Sequence, residues 1–241
     1  MFAPRRDLGH ASGMQDAPTD SAFDVPPLQA IRARRQRAGE CAVSGTTLQI
    51  VGESLRQALD IQPGERVLDA ACVEGRLPYP DGTFDAVVST FAIMSAPDRE
   101  LAAAELLRMC RPGGRIGLAC WTPEGFVGRL LGIVGRHVAL PPGIPDVRRW
   151  GAQAELRRMF GGASVDGALR HFAFRYRSAT HWIDVFRGVD GPVLTALDTL
   201  DTAERVALNA DIMALVGRFD MSGSQSVVVP AEYFEAVIVR R

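Results

Sequence analysis

Arg66-Val67-Leu68-Asp69-Ala70-Ala71-Cys72 reads as a short apolar strand that closes on Asp69-Ala70-Ala71. Its neighbours decide what kind of sheet it enters. Upstream, Leu48, Val51, Leu55 and Leu59 recur at three- and four-residue spacing, which makes one buried helical stripe. Thr46 or Thr47 can cap that helix, and Gln62-Pro63-Gly64 ends it. Downstream, residues 73–83 hold Gly75, Pro78, Pro80 and Gly82 and read as loop. Phe84 to Thr90 is β-branched and apolar, a second buried strand. Asp98 caps a helix carrying Leu101, Leu106, Leu107 and Met109, Pro112-Gly113-Gly114 stops it, and residues 115–121 form a third strand. Strand, helix, strand in this order implies a parallel pair with a crossover helix, hence an α/β fold.

Beyond this core, helices are expected at 125–138, 153–160 with Ala152 as cap, 180–187, 192–200 and 202–219. Pro141-Pro142-Gly143-Ile144-Pro145 reads as loop. His171-Phe172-Ala173-Phe174-Arg175-Tyr176-Arg177 alternates as a strand with one apolar face. Residues 226–229 and 234–240 read as a last extended stretch, broken near Pro230.

Composition bounds the function classes. The net charge of −1 predicts no pull toward nucleic acid or an anionic membrane. All 27 basic residues are arginine, so Schiff-base and P-loop lysine chemistry is excluded. Cys41, Cys72, Cys110 and Cys120 form no CxxC pair and no zinc-spaced Cys/His cluster, so no metal site is expected. No secretory h-region follows Arg5 and Arg6, and no apolar run is long enough to span a bilayer, which makes a reducing cytoplasm the default. Residues 1–30 lack apolar periodicity and read as a disordered arm. Residues 31–241 read as one domain, with a core over 31–165 and a C-terminal α+β part over 166–241. Arg32, Arg34, Arg35 and Arg37 form a basic run that suits a solvated helix face or a nucleic-acid patch; no interleaved aromatic supports the latter.

Five segments in order resemble the class I S-adenosylmethionine (SAM)-dependent methyltransferases, above all the group related to the ubiquinone and menaquinone biosynthesis enzymes. They are residues 45–53 (GTTLQIVGE), 64–72 (GERVLDAAC), 77–85 (LPYPDGTFD), 105–116 (ELLRMCRPGGRI) and 121–126 (WTPEGF). Arg175-Tyr176-Arg177-Ser178, Val229-Pro230 and Tyr233 resemble the tail of that group. The resemblance implies a Rossmann-like methyltransferase sheet with helices on both sides and an antiparallel C-terminal part. It also implies SAM as cofactor, a small-molecule substrate, and a cofactor pocket at the carboxyl ends of the parallel strands. Carried onto this chain, the cofactor-side positions are Asp69, Ala71 and Cys72 after the first strand and Ser89, Thr90 and Phe91 after the second. Asp69 can orient the turn and accept a bond from a cationic amine, or simply cap a strand end. Phe91 and Met94, taken alone, read as core sooner than as pocket lining.

The chain departs from the family at one junction. There a Gly-x-Gly turn follows the position of Cys72, an acid at the end of the next strand holds the ribose hydroxyls, and a later Asp meets the adenine. Here Cys72 runs into Val73-Glu74-Gly75-Arg76-Leu77-Pro78, so the sheet is truncated by at least one βαβ unit; Glu74 is at most a remnant of the third anchor. A strand of five or six residues is ~17–20 Å long, and residues 73–83 reach at most ~36–40 Å. The return is therefore possible without a helix, but leaves one sheet face uncovered and one edge exposed. Low stability or a homodimer through that edge follows. The sequence supports two functions: methyl transfer from SAM to a small molecule through an incomplete cofactor site, or a non-catalytic relative acting as a partner-binding subunit or internally deleted gene product. Methyl transfer needs alignment and desolvation more than a strong base. His137, His171 and His181 are read as structural, Trp121 as either pocket roof or packing, and no catalytic residue is assigned.

Overall fold

The computed structural model describes residues 48–70, 73, 75–138, 146–187, 200–223 and 226–241. All lie in one of two compact units, Ala38–Arg241; the other, Met1–Arg37, lies outside the described residues. So do the expected N-terminal arm and basic run, the Thr46/Thr47 cap, the 141–145 loop, nearly all of the 192–200 helix, and Ala71, Cys72 and Glu74.

Helix α1 (Gln49–Ala58) leads into strand β1 (Val67–Asp69), which is followed by β2 (Phe84–Thr90), α2 (Arg99–Met109) and β3 (Cys110–Trp121). Helix α3 (Phe126–His137), α4 (Gln153–Met159), β4 (Ser164–Tyr176), α5 (Ala179–Arg187), α6 (Thr202–Phe219) and β5 (Val227–Val239) complete the described elements. The five strands form one sheet in the order β1-β2-β3-β5-β4. The first three are parallel, and β5 inserts antiparallel between β3 and β4. The expected α/β sheet with an antiparallel C-terminal part is therefore what forms.

The stripe on α1 does what its spacing predicts. Val51, Leu55 and the capping Leu59 are buried, and a Cβ on Gly117 of β3 would stand 2.5 Å from Leu59 Cδ1, so the missing side chain lets α1 lie against the sheet. Gly117, Ala119 and Trp121 of β3 share that α1 face with Val88 and Thr90 of β2 and with Tyr233 and Glu235 of β5, by register and strand alternation. On the opposite face Ile116, Leu118, Cys120, Ala236 and Ile238 are fully buried, as are Leu106 and Met109 of α2 and Leu156 of α4 in the same core. A second core joins α3, α5 and α6, through Phe126, Leu130, Trp182, Leu208 and Ile212, to Val227 and Val229 at the start of β5.

Asp98 caps α2 as expected, its carboxylate accepting from the Leu101 N–H at 3.0 Å. Leu101 itself is 47% exposed; Ala102, Ala103, Leu106 and Met109 make the buried side. Ala152 precedes α4 but gives it no side-chain cap. Strand β3 begins at Cys110, five residues early, because Arg111-Pro112-Gly113-Gly114 forms a bulge between the pairs Phe84–Cys110 and Ala86–Arg115. Gly113 takes φ 73° there, and a Cβ on Gly114 would come within 2.8 Å of the Asp85 carbonyl oxygen. Strand β5 is not broken at Pro230. Pairing with β3 stops at Tyr233, so Pro230 has a strand on one side only, opposite Ala173, and its missing N–H costs no bond to β3.

Candidate functional site

The carboxyl ends of β1, β2 and β3 bring the cofactor-side positions together unevenly. Asp69 pairs in register with Val88, so its side chain and that of Thr90 fall on the α1 face, where Thr90 Oγ1 is 3.6 Å from the place of a Cβ on Gly52. Ser89 points to the other face. It is fully buried and its hydroxyl accepts from the Ile93 N–H at 3.1 Å, which caps the short 3-10 turn Ala92–Ser95. Ser89 thus does local structural work, away from the face shared by Asp69 and Thr90. Ala71 and Cys72 lie outside the described residues.

Phe91 is the hinge of the site. It adopts φ 61°, a left-handed conformation uncommon for a bulky residue. The Phe91 N–H is held by the Ala119 carbonyl at 2.8 Å. The reversed backbone lays its ring flat on Trp121, with centroids 3.8 Å apart and planes 7° from parallel. Tyr233 meets Phe91 edge-on at 5.7 Å and Trp121 at 6.1 Å. Phe174 of β4 is tilted 6.1 Å from Trp121, and Phe172 meets Phe174 at 5.0 Å. These rings form one aromatic wall at the carboxyl end of the parallel strands. Trp121 and Tyr233 are buried, whereas Phe91, Phe172 and Phe174 are partly buried. Met94 is also buried and receives the Trp121 N–H on its sulfur at 3.3 Å.

A polar group lies directly against this wall. Glu235 is only 3% exposed. Its carboxylate accepts from the Ser54 hydroxyl of α1 at 2.8 Å and from Arg170 Nε of β4 at 3.1 Å. Burial, then the Glu235 charge, raises the Tyr233 phenol above its ordinary range, with Ser54 and Arg170 opposing. Reading the sequence in order misses this set, because Ser54, Arg170 and Glu235 meet only through sheet register. The one available signal is an acid within the apolar run Tyr233-Phe234-Glu235-Ala236-Val237.

A clamp replaces regular structure between β1 and β2. Arg108 of α2 donates to the Tyr79 carbonyl at 2.7 Å, the Leu77 carbonyl at 3.2 Å and Asp81 at 2.6 Å. It also grips the buried Glu105 at 2.6 and 2.8 Å, and Glu105 in turn receives the Leu77 N–H at 2.7 Å. The Arg108 hydrogen bonds hold the Glu105 and Asp81 carboxyls below their usual range.

The described histidines, His137, His171 and His181, have structural partners. His137 Nε2 lies 2.8 Å from Asp211, tying α3 to α6. His171 is 3.7 Å from Glu232, and His181 Nδ1 accepts the Arg177 N–H at 3.3 Å. Cys110 and Cys120 are free and buried, and burial pushes the Cys110 thiol up to about 11 and that of Cys120 further. Neither is a thiolate nucleophile near neutral pH. Among the described residues no His/Cys/Asp/Glu group suits a metal, and no helix is long and apolar enough to cross a membrane.

Known proteins resemble this chain in part of its sequence and in fold. Residues 35–118 match the methyltransferase domain family. An uncharacterised protein of Mycobacterium tuberculosis is 36% identical over 126 residues, which cover 50% of this chain and 45% of that protein. The demethylmenaquinone methyltransferase of Parafrankia sp. is 34% identical over 108 residues, 39% of this chain and 42% of the enzyme. The chain spans about half the length of these curated relatives. In fold, the crystal structure of a methyltransferase-fold protein from Bacillus halodurans superposes with a TM-score of 0.50 at 15% identity, covering 78% of this chain and 97% of that one. The match over residues 35–118, together with the parallel β1-β2-β3 unit and the antiparallel β5-β4 pair of the same fold, supports a class I SAM-dependent methyltransferase family for this chain.

Proposed function

We propose that this chain binds a small organic molecule on the aromatic wall of its sheet and has lost tight binding of SAM. The carrying observation is the β1–β2 pair. Val67, Leu68 and Asp69 pair directly with Ala86, Val87 and Val88, and only residues 70–83 connect the two strands. That length is taken up by the loop which Arg108 holds at Leu77, Tyr79 and Asp81. A further βαβ unit, about 30 residues long, does not fit in it.

The donor fits this site at one end only. Asp69 stands where a carboxylate can accept from the ammonium of SAM. The adenosine end calls for an acid on a strand outside β1, and β1 is the outermost strand among the described residues. The acceptor end, by contrast, keeps Phe91, Trp121, Tyr233, Phe172 and Phe174 as one wall, a lining typical of small-molecule sites.

A second reading has one observation in its favour. Asp69 and Thr90 share the α1 face with the wall, the order in which donor and acceptor would meet in an active enzyme. Calorimetric titration of the full chain with SAM separates the two. Dissociation weaker than about 1 mM is expected. A micromolar constant would overturn the loss of SAM binding and support methyl transfer to a small molecule.

A further inference from the structure

Arg170 has more donors than its protein partners use. Its side chain is 53% exposed although its Nε is bound to a carboxylate that is 3% exposed. Within the described residues its hydrogen bonding runs through that one nitrogen, which leaves the two terminal nitrogens of a half-exposed side chain without a hydrogen-bond partner there. A guanidinium carries five N–H donors in a fixed plane, so with Nε bound to Glu235, whose far oxygen is held by Ser54, four donors remain for another partner. Neutralising Glu235 would need only a cation. The geometry here additionally presents a planar fork.

The fork stands at the end of the aromatic wall. Arg170 pairs in register with Tyr233, and Tyr233 with Trp121, so the three side chains form one row across β4, β5 and β3 on the same face. Phe172 and Phe174 continue along β4 on that face by alternation, both partly buried. Aromatic side chains reaching the surface at Phe172 and Phe174, with a guanidinium on the same face, match a ligand that is aromatic at one end and carries a carboxylate at the other.

We propose that Arg170, oriented by Glu235, is the anion-binding residue of this face, and that its ligand is an aromatic carboxylate. The proposal rests on the small-molecule reading above. It makes Arg170 a specificity residue: the wall supplies apolar area and the fork selects the charge.

Benzoate and benzamide test it, being alike in shape and different in charge. Ligand-observed NMR titration of the full chain should show benzoate binding ~10-fold tighter than benzamide, the size of one charge-assisted contact. Arg170→Gln should erase the preference while leaving benzamide binding in place. Arg170→Lys should erase it as well, because the single ammonium is taken up by Glu235, whereas a role limited to neutralising Glu235 would leave this variant unchanged. Melting temperature and far-ultraviolet circular dichroism of both variants identify any that fails to fold, and the comparison is then made on the other. Equal binding of the two probes, or a preference that survives in both variants, overturns the proposal and leaves the small-molecule reading standing. Absence of binding by either probe overturns both.

Discussion

The two halves of the sheet are built on different terms. On one side β1 is three residues long, with Leu68 alone buried and Val67 40% exposed. On the other, β5 runs for thirteen residues, paired with β4 throughout and with β3 from Tyr233 on, and buries Tyr233, Phe234, Glu235 and Ala236 in succession. The expectation of an uncovered face is met at β1: Val67 and Asp69, on the α1 face, are exposed, while α1 lies over β2 and β3. The contrast teaches where this domain keeps its investment in packing. The half that would hold a donor's adenosine is reduced to a strand and a clamped loop. The half that would hold an acceptor has a full aromatic wall and a satisfied buried carboxylate.

Breaking the stronger half should cost most. Trp121→Ala removes the ring stacked on Phe91 and facing Tyr233 and Phe174, and should lower unfolding free energy by ~3–5 kcal/mol in urea titration. A loss under ~1 kcal/mol would mean that the wall is loosely packed.

The clamp comes next. Arg108→Met leaves Glu105 buried without its cation and frees the carbonyls of Leu77 and Tyr79, for an expected loss of about 3 kcal/mol. The same pair sets an acid dependence. Glu105 and Asp81 have folded pKa values below their ordinary 4.5 and 3.8, with the Arg108 hydrogen bond as the largest cause. Their contribution is fully present above those ordinary values and is lost as pH falls through the lower folded ones. Melting temperature should therefore hold steady down to the 4.5 of an ordinary glutamate and fall below it, with a shallower fall in Arg108→Met.

Val67→Ala should be the mildest change. The side chain is largely outside the core, so a loss under about 0.5 kcal/mol is expected in the same urea titration. A larger value would mean that β1 is better covered than its exposure shows.

Much of this division was legible in the sequence. Val67 to Asp69 and Phe84 to Thr90 are short apolar strands, and the residues between them are too few for another βαβ unit, so β1–β2 adjacency and the missing anchors could be read directly. The α1 stripe and the Asp98 cap follow from spacing and from one carboxylate. The site was less legible. Ser89 and Thr90 are neighbours in sequence but face opposite sides of the sheet, and only register reveals that Ser89 caps the Ala92–Ser95 turn. The Glu235, Ser54 and Arg170 group spans 181 residues of sequence and is assembled by pairing β4 with β5 and laying α1 over both β2 and β3. The early start of β3 was hidden by Pro112-Gly113-Gly114, which reads as a stop although it forms a bulge within a strand.

Hydrogen exchange followed residue by residue, with and without SAM, distinguishes a reduced β1 side that no longer binds the donor from an intact β3-β5-β4 side. Amides of Gly117 to Trp121 and of Tyr233 to Ala236 should be strongly protected, the outward-facing Val67 amide should exchange fast, and SAM at about 1 mM should change neither set. Protection appearing at Val67 to Ala70 on adding SAM would contradict the account, because it would mean that a working donor site closes over β1.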